Sequence, residues 1–317
     1  MAGARAQGPV LVTGATGLVG GAVTRALLGA GHDVVALVRS EAPAAPLAAA
    51  GARLVVGDIT RPETLRDVVP AGGAVVHAAQ MRVRRAGAGA LRRLEAADRV
   101  STAALAESCL AAGSRLVYTS GAFVWGDHGD RWIDETMPLT PSPLGAGKAA
   151  VTRQLRALRR RGLDSVVLHL GYVYGPGSTF RSAFWQPARR GLLRCLGPGD
   201  NYWSPVHADD AAAAYVAAVE RAPAGSEYAV VDDDPLPLRV LVDQLTDALG
   251  RRRVGSAPPR LVALVAGAPA VASLVTSFRT SNAKARDELG WAPKYPSFAA
   301  GLPAALAALE GSTGSRR

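Results

Sequence analysis

Cysteine is nearly missing: Cys109 and Cys195 are the only two in 317 residues, too few for a disulfide framework or for a zinc site of their own. Unpaired thiols point to a reducing compartment. No His/Cys/Asp cluster has the spacing of metal ligands, so no metal is expected. Aromatic residues make up only 5% of the chain while Ala and the aliphatics dominate, which disfavours an all-β sandwich and suits helices packed on a parallel sheet. The segment Met1–Pro9 lacks a long apolar signal before a cleavage site, so the cytoplasm is the expected location. One apolar stretch, Leu261–Phe278, approaches the length of a membrane span, but Pro269 interrupts it. A buried or lid-forming helix pair is expected there, with membrane-surface contact as the minor alternative. The net charge of +10 is spread along the chain, with small clusters at Arg82–Arg85, Arg159–Arg161 and Arg251–Arg253. No aromatic-rich basic motif accompanies them, and a nucleic-acid partner is not expected.

What is present is a rhythm. Val10–Val12, Val34–Val38, Arg53–Val56, Ala74–His77, Arg115–Tyr118 and Ser165–Leu170 read as strands, and Leu18–Leu28, Ala90–Ala112 and Lys148–Arg160 as helices between them. Alternation of this kind predicts an α/β fold with a doubly wound parallel sheet covered on both faces, because each parallel connection needs a crossover. After Tyr174-Gly175-Pro176-Gly177 the rhythm breaks up and Gly, Pro and aromatics become frequent. Residues 1–178 are therefore read as the main domain, with 205–232, including a helix over Asp209–Glu220, returning to it. Residues 179–204 and 233–310 form a smaller substrate-side region, and Gly311–Arg317 a disordered tail.

The loop Gly14-Ala15-Thr16-Gly17-Leu18-Val19-Gly20 follows the first strand and opens the first helix. Glycines there let backbone N–H groups approach a pyrophosphate at the positive end of the helix dipole. Gly14 makes the turn, Gly17 permits close approach and Gly20 allows helix–sheet packing. Glycines also accumulate by chance in a glycine-rich chain, but the placement between strand and helix makes this a dinucleotide loop of a Rossmann-type domain. The end of the second strand carries Arg39, with no acid; Asp33 stands at that strand's start. A guanidinium makes charge-assisted bonds to a 2′-phosphate, so NADP(H) is the expected cofactor.

Further motifs follow in order: Val56-Gly57-Asp58-Ile59, His77-Ala78-Ala79, Val117-Tyr118-Thr119-Ser120-Gly121 through Val124-Trp125-Gly126, Tyr172-Val173-Tyr174-Gly175-Pro176, Val206-His207-Ala208-Asp209-Asp210 and Leu289-Gly290-Trp291-Ala292-Pro293-Lys294-Tyr295. Together they resemble the extended short-chain dehydrogenase/reductase family, from Val10 to about Leu302. The resemblance implies cofactor contacts from Gly14, Thr16, Gly17, Leu18 and Val19, from Arg39, Asp58 and Ile59, and from Ala78, Ala79 and Gln80. On the nicotinamide side it implies Thr119, Lys148, Leu170, Gly171 and Tyr172. Substrate contacts are expected from Gly121, Ala122, Phe123, Leu144, Trp185 and Trp203.

The family's catalytic pair is missing. Where its Ser/Thr stands this chain has Gly121; where its tyrosine stands, four residues before Lys148, it has Leu144. An asparagine of the long helix is replaced near Arg99. Only Lys148 survives, and it is read as a cofactor-binding residue rather than a proton donor. A positioned general acid is worth roughly 10²–10⁴ in rate, or about 3–5 kcal/mol of barrier, that something else must supply. Three readings follow. The pattern resembles ketoreductases of aromatic polyketide (angucyclinone-type) antibiotics, whose ketone substrate carries a neighbouring phenol able to stabilise and protonate the developing alkoxide. Alternatively a protein group donates, Tyr172 first, with Ser120, Tyr118 and Lys148 behind it and His207 and His169 read as satisfied structural histidines. The third reading is a non-catalytic NADP(H)-binding sensor or scaffold. The expected partner is a small-molecule aromatic ketone, and the expected assembly a monomer or homodimer.

Overall fold

Every strand expected from the sequence forms, and one more joins them. In the computed structural model, which describes residues 8–65, 67–80, 88–177 and 179–314, seven strands make one parallel sheet. They are β1 (Val10–Thr13), β2 (Val34–Val38), β3 (Arg53–Val56), β4 (Ala74–His77), β5 (Arg115–Gly121), β6 (Ser165–Leu170) and β7 (Glu227–Val230), in the spatial order β7-β6-β5-β4-β1-β2-β3. The basic cluster Arg82–Arg85 and residues 315–317 lie outside the described residues.

β1, β2, β4 and β6 are buried along their whole length, as continuous apolar runs between two helical layers must be. The edge strand β3 instead exposes Arg53 and Val56. Four helices cover the sheet: α1 (Leu18–Gly29), α2 (Ala88–Ala112), α3 (Ala146–Arg159) and α4 (Ala208–Arg221). Alternation sends successive side chains to opposite layers. Val10 and Val12 pack with Val23 and Leu27 of α1 and with Tyr215 of α4, while Leu11 packs with Leu105 of α2 and with Val151 and Leu155 of α3. The strand order reverses between β1 and β4, so their carboxyl ends open the crevice where such sheets bind ligands.

The later chain builds a second core around Trp125, Phe180, Trp185, Trp203, Phe278 and Phe298. It carries α5 (Leu238–Ala248), α6 (Pro259–Ala266), α7 (Ala268–Leu274), α8 (Ala283–Leu289) and α9 (Phe298–Gly314). Within residues 205–232, 205–207 pair with 172–174 in parallel, α4 packs on α1, and β7 extends the sheet. The expected boundary is too simple beyond that point. Ala285 and Leu289 of α8, with Trp291, belong to the first core, and the Trp291 indole donates to the Asp210 carbonyl at 3.0 Å. The tail also differs, since α9 continues to Gly314.

Leu261–Phe278 forms the two short helices α6 and α7, broken at Gly267 (φ 93°) rather than at Pro269. Pro269 sits in the first turn of α7, where its missing N–H removes no helix bond. α7 buries Ala270, Val271 and Ser273, whereas α6 buries none of its residues, so half of the expected buried pair lies on the surface.

Asp232, just beyond β7, is buried; its Oδ1 accepts from the Asp234 N–H at 3.2 Å, while its Oδ2 finds no hydrogen bond among the described residues. Burial, aided by the carboxylates of Asp233, Asp234 and Asp210, pushes its pKa up to about 9. Below about pH 4 the carboxyl is protonated in folded and unfolded chains alike and costs nothing. As pH rises from there to about 9 the unfolded chain sheds a proton that the folded chain retains, so this group lowers stability progressively across that window. Asp232→Asn is therefore expected to raise stability at pH 8 by roughly 2 kcal/mol and to leave it nearly unchanged at pH 4. Calorimetric melting of both proteins across this range checks it; parallel curves for the two would show that the carboxyl ionises in place.

Candidate functional site

The loop between β1 and α1 is shaped by its glycines. Gly14 has φ +72°, and a Cβ there would stand 2.6 Å from the Ala79 Cα. Only glycine lets this turn lie against the end of β4. A Cβ on Gly20 would collide with the Gly14 carbonyl oxygen, so Gly20 makes room for the loop itself rather than for helix–sheet packing. Gly17 caps α1 without a side-chain hydrogen bond, and the first turn holds no acid, which leaves the helix's first N–H groups and its positive end to an anion. Thr16, Leu18 and Val19 lie on this turn.

At the far end of the crevice Arg39 is exposed just past β2, beside Asp58 and Ile59 just past β3. Asp58 is held below the usual carboxylate range, chiefly by the Thr60 N–H and with help from the nearby Arg39 and Arg61 guanidiniums. After β4, Ala78 and Ala79 are half-buried and Gln80 is exposed, and the Ala79 N–H donates to Thr13 Oγ1 at 3.2 Å.

The surviving lysine is engaged by a residue that the sequence reading missed. Lys148 Nζ lies 3.1 Å from Oδ2 of Asp98, which is buried on α2, and 4.7 Å above the Tyr118 ring. The Tyr118 hydroxyl donates to the same Oδ2 at 2.6 Å. Oδ1 lies 3.9 Å from His77 Nε2 and has no hydrogen bond among the described residues. His77 is bonded through Nδ1 to Thr13 Oγ1 at 2.7 Å, and burial pulls its pKa down to about 4, so it is neutral. The residue of α2 that faces the site is therefore Asp98 and not the exposed Arg99. Helical spacing carried that signal: Asp98, Ser101, Thr102, Leu105, Ala106 and Cys109 are the buried stripe of α2, and Arg99 is off it.

Gly121 ends β5, and the turn carrying Leu144 is fastened beside it. The Ser142 N–H donates to the Phe123 carbonyl at 3.0 Å, and the Leu144 N–H to Ser273 Oγ of α7 at 2.9 Å. A Cβ on Gly121 would meet only the Leu170 carbonyl oxygen, at 3.6 Å, so the position is open. The other candidate donors are engaged or sequestered. Ser120 is buried, and burial pushes the Tyr118 phenol up, aided by Asp98; Thr119, expected as a cofactor contact and not as a donor, bonds through Oγ1 to Tyr215 at 2.5 Å. His169 bonds to Glu227 at 3.1 Å, and His207 caps α4.

Tyr172 packs its ring 4.8 Å from Trp203 and 5.4 Å from Phe184, and burial raises its phenol well above the ordinary value. Its hydroxyl is buried and lacks a partner among the described residues. Trp185 and Trp203, expected to touch substrate, are 2% and 1% exposed and belong to the second core. Trp203 backs Tyr172, whereas Phe123, Leu170 and Gly171 stay near the crevice end of the sheet, with Ala122 buried behind them.

Residues 10–231 match the NAD dependent epimerase/dehydratase family. This chain belongs to that family. It is 34% identical, over 92% of its own length and 98% of the relative's, to a 3-diazoavenalumate denitrifying reductase of a Streptomyces species. A 2-alkyl-3-oxoalkanoate reductase of Stenotrophomonas maltophilia is 33% identical over 78% of each chain. Among solved structures, a dTDP-glucose 4,6-dehydratase of Streptomyces venezuelae with NAD bound superposes with a TM-score of 0.81 at 25% identity, covering 97% of this chain and 98% of that one. The chain is thus an oxidoreductase of a nicotinamide-dependent family with reductases among its relatives.

The residues present fit such a cofactor. The start of α1, with no side-chain cap, and the side-chain-free Gly17 would suit its diphosphate, Arg39 and Asp58 would face its adenosine end, and Lys148 and Thr119 its nicotinamide end.

Removing one member of a buried ion pair strands the other charge. Asp98→Ala is expected to lower stability by about 3 kcal/mol, while in Asp98→Ala/Lys148→Met the loss should fall well short of the sum of the single changes. Urea unfolding of the four proteins measures that coupling, and simple additivity would mean that the pair does not act as a unit.

Proposed function

We propose that this protein is an NADPH-dependent ketoreductase acting on an aromatic polyketide ketone of the angucyclinone type, similar to the simocyclinone ketoreductase, with the proton supplied by a phenol of the substrate. The observation that carries this reading is the pairing of Gly121 and Leu144, neither of which can donate a proton, with a lysine that remains in place. The nicotinamide supplies the hydride when bound. Lys148, pinned by Asp98, keeps its other N–H bonds for the nicotinamide ribose. The open face at Gly121 and the apolar Leu144 admit a flat ring, and Phe123 borders it. The raised Tyr172 phenol is a poor acid, so the charge developing on the carbonyl oxygen falls to the substrate's own neighbouring hydroxyl.

The NADP(H) preference rests on Arg39. Arg39 is exposed just past β2, and its guanidinium can bond a 2′-phosphate in a bidentate manner. Arg39→Ala is expected to raise KM for NADPH by roughly tenfold or more and to leave NADH almost untouched, since only the phosphate contact is lost. Steady-state kinetics with both cofactors decides this; equal losses would remove Arg39 from cofactor selection.

A second reading is favoured by the diazo compound in the name of the 34% identical relative. An aryl diazonium accepts hydride and releases dinitrogen with no oxygen to protonate, so a site without an acid serves it as well. The first experiment follows NADPH oxidation with phenol-bearing aromatic ketones, their O-methyl ethers and an aryl diazonium. Under the main reading methylation lowers turnover by roughly 10²-fold or more, and undiminished turnover of the ether would falsify it. Turnover of the diazonium alone supports the second reading, and tight NADPH binding with no turnover on any acceptor supports a non-catalytic sensor.

A further inference from the structure

Two features of the sequence remain outside the catalytic crevice: the arginine run Arg251–Arg253 and the apolar segment beginning at Leu261. The fold brings them to one surface. Gly255 accepts the Cys195 N–H at 3.1 Å, and residues 256–257 pair with 195–196, which joins the segment around Arg251 to the segment around Arg194. Between them lies a shallow depression of about 410 Å³ lined by Arg194, Arg251, Arg252 and Arg253. Pro259, the first residue of α6, packs close to Gly197 beside it.

α6 then presents Leu261, Leu264 and Val265 at 62%, 83% and 72% exposure, with Arg260 exposed next to them. Their i, i+3, i+4 spacing puts the three on one helix face. Leu192, between Gly191 and Arg194 at the rim of the depression, is 66% exposed. Of the eight large apolar side chains exposed among the described residues, four are in this patch. The carboxylate nearest the arginines is Asp243, 3.9 Å from Arg253 and 4.0 Å from Arg239. Arg194 and Arg251 donate to the backbone carbonyls of Leu193 and Arg189, which are neutral, and neither has an ion pair among the described residues.

We propose that this face docks on an anionic lipid surface. Guanidiniums around the depression take lipid phosphates, while Leu192, Leu261, Leu264 and Val265 enter the boundary between headgroups and acyl chains. The composition favours lipid over a protein partner. Binding hot spots on proteins combine Arg with Trp and Tyr and are poor in Leu and Val, whereas the exposed apolar side chains of this patch are Leu and Val only, with no aromatic among them. No helix among the described residues is long and apolar enough to cross a membrane, and interfacial docking needs none. The site benefits from the arrangement. α7 follows α6 directly, and its Ser273 Oγ holds the Leu144 N–H, so a docked α6 stands one short helix from the catalytic turn. An apolar substrate dissolved in the bilayer then reaches the crevice without crossing water. The docking surface itself does not depend on which acceptor the site reduces.

The test is flotation of the whole protein with phosphatidylcholine vesicles, with and without about 30% phosphatidylglycerol, over a range of salt. The expected result is binding to the anionic vesicles alone, weakening as salt rises. Leu261→Ser/Leu264→Ser and Arg252→Glu/Arg253→Glu should each lower it by roughly tenfold or more while NADPH binding stays intact, which shows that both variants fold. Failure to float with anionic vesicles overturns the proposal, as does equal flotation of the variants. A dimer in light scattering that the leucine changes dissociate also overturns it, because a second copy would then be what covers α6.

Discussion

A single buried carboxylate ties the catalytic half of this molecule together. Asp98 reaches from the long helix α2 to the lysine of α3 and to the tyrosine of β5, so three separately folded elements meet on one oxygen. Both partners point at Oδ2, which fixes the ammonium against the phenol ring beneath it. His77, kept neutral by burial and bonded to Thr13 of β1, lies 3.9 Å from the other carboxylate oxygen without a hydrogen bond to it.

Much of the fold was legible because parallel strands buried on both faces must be apolar throughout. Val10–Val12, Val34–Val38 and Ala74–His77 leave little choice, and β7 was missed as a strand because Glu227 and Tyr228 break the apolar run. Those polar groups are satisfied inside the fold: Glu227 takes Arg156 and Arg159 of α3, and Tyr228 takes Glu288 of α8. The glycine loop was legible for a different reason. Steric collision at Gly14 and Gly20 leaves no alternative residue, so the spacing records geometry directly.

The site was legible where position along the chain equals position in space, and obscure elsewhere. Gly121 and Leu144 could be read by counting from Trp125 and Lys148. Asp98 could not be found by counting alone, because one residue along a helix turns a side chain by about 100° and moves it from core to solvent. The helix's buried stripe selects it. Trp185 and Trp203 show the opposite failure. In a segment rich in Gly and Pro a scarce aromatic looks the same whether it lines a pocket or fills a core, and tertiary packing put both in the core.

Stability alone does not account for the Asp98–Lys148 pair. Desolvating two charges costs several kcal/mol, and well-packed apolar residues at such positions are frequently as stable or more so. A chain with Gly121 and Leu144 beside this lysine would, with no use for the crevice, have no physical reason to hold an ammonium there at that cost. Retaining it is understandable if the charge still binds something anionic or strongly polar, and the nicotinamide ribose is the group that the family's geometry brings within reach. Under the proposed function, a site that keeps the binding lysine without a protein acid separates two tasks. Cofactor positioning would remain with the protein, and proton supply would pass to the acceptor. That division would narrow the acceptors to those carrying their own proton or needing none, and the absence of a hydroxyl would then be a source of substrate specificity.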